Sequence, residues 1–316
     1  CSFCGLDEKL NKSEKYLTKA IRANPKSPEG YLELGKMYYN YFLLTNDLNY
    51  RTLVKQQFEL AVKNGKELET ANDYSNYSEA SYLLGLILLD DGKFREAMQR
   101  LEEAEEFHIE PYLFMSMLPP DWMELINFYL GVCYEQLGNY EKAIEHYRKA
   151  IEDYYTNVSS YIRIGLIYYQ LGQFQKAISE WKAPGIELEE WESYGHPIDK
   201  YELFPFAILK QSYNKYETAY LYHLISKAYI NLFKSEGNTL PKEVIDYAEK
   251  SVEITEGREA EFLVTLAELY YLNKNIDSAI TNMEKALSTE QEKDKREQMM
   301  QTLIIYRKTK NGKDKE

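Results

Sequence analysis

Proton transfer, nucleophilic attack and metal binding are usually built from histidine, cysteine and paired carboxylates. The chain has four histidines, His108, His146, His196 and His223, and three cysteines, Cys1, Cys4 and Cys133. No two histidines stand at metal-ligand spacing. No glycine-rich phosphate loop, G-x-S-x-G elbow or H-E-x-x-H pair occurs. Glu102-Glu103 and Glu189-Glu190 read as solvated helix faces, and His146 as a surface residue. The stretch CSFC lacks the further soft ligands that zinc requires, and Gly5 stands where a c-type haem needs histidine. A disulfide between Cys1 and Cys4 needs an oxidising compartment and closes a very small loop. Cys133 reads as a small buried apolar residue. The expectation is no catalytic residue, no metal site, no cofactor and no small-molecule substrate.

Charge narrows the partners further. With 38 basic and 51 acidic residues the net charge is −13, the wrong sign for a nucleic-acid binder. The same balance disfavours a broad anionic membrane surface. The last stretch, RKTKNGKDKE, is locally basic and reads as a solvated tail. No run of 18 apolar residues is present, so no transmembrane helix is expected. What the chain does have is apolar bulk: 44% hydrophobic residues, including 30 tyrosines.

That bulk is arranged periodically. GVCYEQLGNYEKAIEHYRKA at 131–150 is echoed by GLIYYQLGQFQKAISEWKA at 165–183. Gly131 and Gly165 are 34 residues apart, as are Tyr134 and Tyr168, Gly138 and Gly172, and Ala143 and Ala177. Each copy reads as two amphipathic helices joined by a tight turn, LGNY or LGQF. Gly131 and Gly165 are expected where two helix backbones come close, with Ala143 and Ala177 serving the second helix. Tyr134, Tyr168 and Tyr147 are expected to fill the wider gaps between layers. Neither helix can bury its apolar stripe alone, so the units must stack.

At these residues the sequence resembles the tetratricopeptide repeat (TPR) family. The pattern returns at Leu84-Gly85, Leu88, Gly92-Lys93-Phe94, Ala97, Leu101 and Ala104, and again at Leu263, Leu266-Ala267, Tyr270, Ile276, Ala279, Met283 and Ala286. Two units are stretched. One runs from Tyr31, Leu34-Gly35 and Tyr38 to Val54, Phe58 and Ala61, with FLLTNDL as extra length. The other runs from Tyr222, Ile225-Ser226 and Tyr229 to Val244, Ala248 and Ser251, with EGNTLP as a long turn. The resemblance implies an all-α, right-handed TPR α-solenoid of about six helical hairpins, with a leading helix, an interrupting insert and a C-terminal capping helix. The expected organisation is a segment at 1–5, a solenoid at 6–290, and a capping helix with a basic tail at 291–316. Units fall near 28–66, 78–110, 124–157, 158–183, 219–255 and 260–288. A short insert at 111–123 and a longer one at 184–218 break the series. The longer one carries Trp191, Tyr194, Tyr201, Phe204, Phe206, Ile208 and Leu209. It is expected to fold back on the solenoid, with a helix near 203–214, or to join a partner surface. Pro184 is expected to end the second helix of its unit early.

The resemblance also implies a concave groove lined by the first helix of each hairpin. Helical phase places Tyr39, Tyr82, Leu86, Phe128, Tyr129, Val132, Ile162, Arg163, Leu166, Tyr169 and His223 along it, apolar in the middle and charged towards the ends. One TPR subclass grips a terminal carboxylate with Lys, Asn and Arg at such positions. Here Arg163 is the only cation near the centre, so an amphipathic helix or an extended apolar segment fits better. Cys1 followed by Ser2 resembles the mature start of a bacterial lipoprotein, in which a leader is cut before a cysteine that then carries diacylglycerol. That implies lipidation at Cys1, membrane attachment through the acyl anchor, and the periplasmic face of the outer membrane in the bacterial cell envelope. The expected function is a non-enzymatic scaffold with protein partners. The alternatives are a soluble cytoplasmic adaptor or a structural subunit of a larger assembly.

Overall fold

The computed structural model describes residues 4–66, 71–106, 125–151, 157–183, 215–237 and 239–313. The insert at 111–123 and residues 184–214 of the longer one, together with Cys1, His108 and His196, lie outside these residues; 215–218 open α10. The described residues form fourteen α-helices and no strand. None of those helices is long and apolar enough to cross a membrane.

The first compact unit takes in the described residues up to Ser160. It holds α1 (Cys4–Ala23), α2 (Pro28–Thr45), α3 (Leu48–Gly65), α4 (Ala71–Asp90), α5 (Phe94–Glu106), α6 (Ile126–Gln136) and α7 (Tyr140–Ile151). Helices α2 and α3 pair, as do α4 and α5, and α6 and α7. Each pair also packs on the next, through α3 with α4 and α5 with α6, so the hairpins stack in chain order. The extra residues of the first hairpin lengthen the helices themselves, since α2 and α3 have 18 residues each. Pro28 opens α2, where a missing N–H costs nothing, and Asp47 caps α3 by accepting from the Asn49 N–H at 2.9 Å.

The second unit runs from Tyr161. It holds the greater part of α8 (Asn157–Gln170), then α9 (Phe174–Trp181), α10 (Lys215–Glu236), α11 (Glu243–Ile254), α12 (Ala260–Leu272), α13 (Ile276–Thr289) and α14 (Lys293–Lys313). α9 has only eight residues and stops at Trp181, shortly before Pro184. α14 closes the series. Its Met299, Leu303 and Tyr306 are buried against Leu263, Met283, Ala286 and Leu287 of α12 and α13.

Four of the turns within hairpins repeat one device. At Gly92, Gly138 and Gly172 the backbone turns left-handed, with φ of 73°, 75° and 72°. The N–H of each glycine donates to a carbonyl three residues back. The following N–H reaches five residues back: Lys93 to Leu88, Asn139 to Tyr134, Gln173 to Tyr168. This is the Schellman closure, which satisfies carbonyls that a helix end leaves bare. The α12–α13 turn makes the same two bonds around Lys274, a residue with a side chain held at φ 63°.

Candidate functional site

The repeat glycines explain how the first helices are held. A Cβ on Gly131 would stand 2.6 Å from the Tyr147 ring, and one on Gly165 would stand 2.1 Å from Trp181 Nε1. At Gly35 the clash would be with Phe58, and at Gly85 the closest approach would be to Leu101. The glycines therefore make room for a large side chain of the second helix, not for a neighbouring backbone as the repeat alone implied. In the two copies that define the period, and at Gly85, the large partner follows the glycine by 16 residues. Trp181 is completely buried, and its indole N–H donates to the Ile162 carbonyl at 3.2 Å. Ala97, Ala143, Ala177 and Ala279 have no exposed surface, in keeping with close packing of the second helices.

Tyr147 is an interior residue whose hydroxyl donates to Glu135 at 2.6 Å. Tyr134 and Tyr168 are not gap fillers. Both are half-buried and lie under lysines, Lys142 at 5.2 Å and Lys176 at 5.3 Å from the ring centres. Tyr134 also stacks on His146, which is half-buried and 3.2 Å from Asn127 Oδ1. Burial and nearby Lys149 hold His146 below the usual imidazole range. Cys133 is buried, and burial pushes its thiol up to about 12, so it is a packing residue and not a nucleophile.

The expected groove residues divide by burial. In the first unit Tyr39, Tyr82, Leu86, Phe128, Tyr129 and Val132 are all buried, none more than 4% exposed. Phe128 meets Tyr129 edge-on at 5.6 Å and Tyr147 at 5.7 Å, and Tyr82 lies 6.1 Å from Tyr129. Burial drives the Tyr39, Tyr82 and Tyr129 hydroxyls well above their ordinary range. In this structure the apolar middle of the groove is closed packing, where the sequence placed an open wall.

In the second unit Ile162, Arg163, Leu166 and Tyr169 are half-buried along α8. Tyr169 accepts from Asn231 Nδ2 at 2.8 Å and meets Phe174 and Trp181. His223 is buried rather than set at a charged rim. Its ring stacks on Phe262 at 4.4 Å, and neither nitrogen has a hydrogen-bond partner among the described residues. Glu261 Oε1 lies 3.4 Å from His223 Nε2 and accepts from Lys227 Nζ at 2.7 Å. Burial lowers His223 despite the opposing pull of Glu261. Glu261 itself is brought down to about 2 by the His223 contact and by Lys227.

Sequence reasoning missed the ion pairs that join successive first helices. Lys227 of α10 meets Glu261 of α12, and Lys234 of α10 meets Glu268 of α12 at 2.5 Å. Both pairs are 34 residues apart, one repeat period, so opposite charges at equal phase were the available signal. Lys36 of α2 likewise reaches Glu79 of α4 at 2.7 Å. Among the described residues no group of three or more His, Cys, Asp or Glu is placed to hold a metal ion.

Stacked hairpins with glycine-to-aromatic packing and Schellman turns define the all-α solenoid class. Within that class the chain carries tetratricopeptide repeats. The tetratricopeptide repeat family models match residues 127–152, and residues 158–180 and 260–293. The fold is similar to the C-terminal part of a TPR repeat-containing protein from Cytophaga hutchinsonii, with a TM-score of 0.55 and 16% identity over 94% of this chain and 97% of that one. It is also similar to BtubC from P. vanneervenii, with a TM-score of 0.55 and 14% identity over 79% of this chain and 89% of that one. No curated protein matches by sequence.

Proposed function

We propose that this chain is a non-enzymatic scaffold that binds a protein partner through the first helices of its repeats. One observation carries the reading: within each unit the hairpins pack on one another in chain order and spend the repeat-defining small residues on packing, as a binding solenoid does. On this reading the contact surface is α8, and what supports it is that Ile162, Arg163 and Leu166 keep part of their surface in water while the neighbouring Ile164 and Ile167 are buried. A partner helix or an extended apolar segment fits a face of that kind. The test begins with crosslinking in native cells to identify a partner. The purified partner is then titrated against wild type and an Ile162→Asp/Leu166→Asp variant with checked melting. Undiminished affinity in the variant rejects the α8 surface.

The finer reading concerns location. Cys1 lies outside the described residues, and its lipidation rests on the resemblance of Cys1-Ser2 to lipoprotein starts. On this reading an acyl group holds the scaffold at the periplasmic face of the outer membrane. Intact-mass measurement on protein from native cells decides it. A mass lacking an acyl group at Cys1 favours a soluble adaptor. A mass in solution that climbs with concentration favours an assembly subunit.

A further inference from the structure

Helix α1 departs from the acidic character of the chain. Leu10, Glu14, Leu17 and Ile21 recur every three or four residues and form its inner side. Leu10 is buried, Glu14 accepts from the Tyr38 hydroxyl of α2 at 2.8 Å, and Ile21 packs where a Cβ on Gly30 would come within 2.8 Å. On the outer side Lys12, Lys15, Lys19 and Arg22 are also spaced by three or four residues, and all four are exposed. None of the four forms an ion pair among the described residues, whereas lysines elsewhere in the chain are repeatedly paired. They make a cationic ridge about 15 Å long. Tyr16, 64% exposed, flanks it. Lys15, Lys19 and Arg22 line an open depression of about 430 Å³ together with Asn11, Thr18 and the already engaged Glu14.

We propose that the outer face of α1 docks on an anionic lipid surface, with headgroup phosphates seated among Lys15, Lys19 and Arg22. Three features favour a lipid plane over an acidic protein segment. The cations lie along one straight exposed ridge that a flat surface meets all at once. The depression has donors, Asn11 and Thr18, suited to phosphate and glycerol oxygens. Tyr16 places an amphipathic ring at the level where such rings settle in the interface. The net charge of −13, which disfavours a broad anionic docking face, bears less on this narrow ridge, because charges farther than about 8 Å from the surface are largely screened at physiological ionic strength. The proposal needs no acyl group at Cys1 and stands apart from the partner-binding reading.

The experiment is vesicle co-sedimentation of the whole 316-residue chain made without acylation. Vesicles of phosphatidylcholine alone are compared with vesicles containing a third phosphatidylglycerol. Binding is expected only to the anionic vesicles and is expected to fall with salt. Each ridge cation removed should weaken partition roughly five-fold. The variant Lys15→Gln/Lys19→Gln should therefore lose about 25-fold, while Lys15→Arg/Lys19→Arg keeps binding. Circular dichroism melting should be the same for all three, since the side chains are exposed. Equal binding to both vesicle types, full binding by the glutamine variant, or no sedimentation of wild type overturns the proposal. Binding of a polyglutamate peptide without vesicle binding overturns it in favour of an acidic protein segment.

Discussion

At the scale of single residues, the fold turns on small side chains facing large ones. Gly165 is the sharpest case, because Trp181 fills the space a Cβ would take. Gly165→Ala should destabilise by about 1–3 kcal/mol through overpacking, read as a shift in the urea midpoint at constant slope. Trp181→Ala should cost about 3–5 kcal/mol by leaving a cavity. His223 gives a pH signature. Burial lowers it below 6.5, so the folded state binds its proton less readily than the unfolded chain does. Its contribution is present above that value and lost as the pH falls through the lower folded value. Glu261, held to about 2, adds a second loss in the same direction further into acid. His223→Phe should flatten the stability profile just below pH 6.5, leaving a residual slope from His146. A profile as steep as wild type would show that His223 is not its source.

At the scale of helices and turns, the Schellman closures tell which residues suit which turn. Of the four hairpin turns closed in this way, three place glycine at the left-handed position and the fourth places Lys274 there. A side chain at such a position costs about 1–2 kcal/mol, partly offset by the greater freedom of glycine when unfolded. Lys274→Gly should therefore raise stability by up to about 1 kcal/mol, whereas Gly138→Ala should lower it by about 1 kcal/mol; thermal melts of the two variants check both signs. The pairs Lys227–Glu261 and Lys234–Glu268 are largely exposed, so removing either should change stability by less than about 1 kcal/mol. They form because α10 and α12 meet in register one period apart.

At the scale of the whole molecule, stacking makes the ends special. α14 covers Leu263, Met283 and Ala286 with Met299, Leu303 and Tyr306. A chain ended after Thr289 should lose solubility and melt at lower temperature, because that apolar layer would face water. Normal solubility and melting of the shortened chain would count against a capping role. Binding tests must also respect burial. Phe128 is 4% exposed, so Phe128→Glu reports on folding, whereas Ile162 and Leu166 are half-buried and can report on a partner. The repeat architecture was legible because GVCYEQLGNY and GLIYYQLGQF repeat residue types at fixed phase, and phase alone dictates helix pairing and turn position. The same phase put Tyr82, Phe128 and Val132 on a presumed open wall, and the structure buries them.

What the sequence determined by itself was local and periodic: amphipathic helices, left-handed turns at glycine, and small residues at set intervals, all of which follow from backbone and side-chain sterics within one repeat. What only the tertiary structure decided was the identity of each neighbour. A glycine can admit a backbone or a ring, and only packing shows that it is Tyr147 or Trp181. A lysine one period from a glutamate becomes an ion pair only when successive first helices meet in register, as Lys227 and Glu261 do. Burial is set by contacts far apart in the chain, and no pattern within a single helix contains that information.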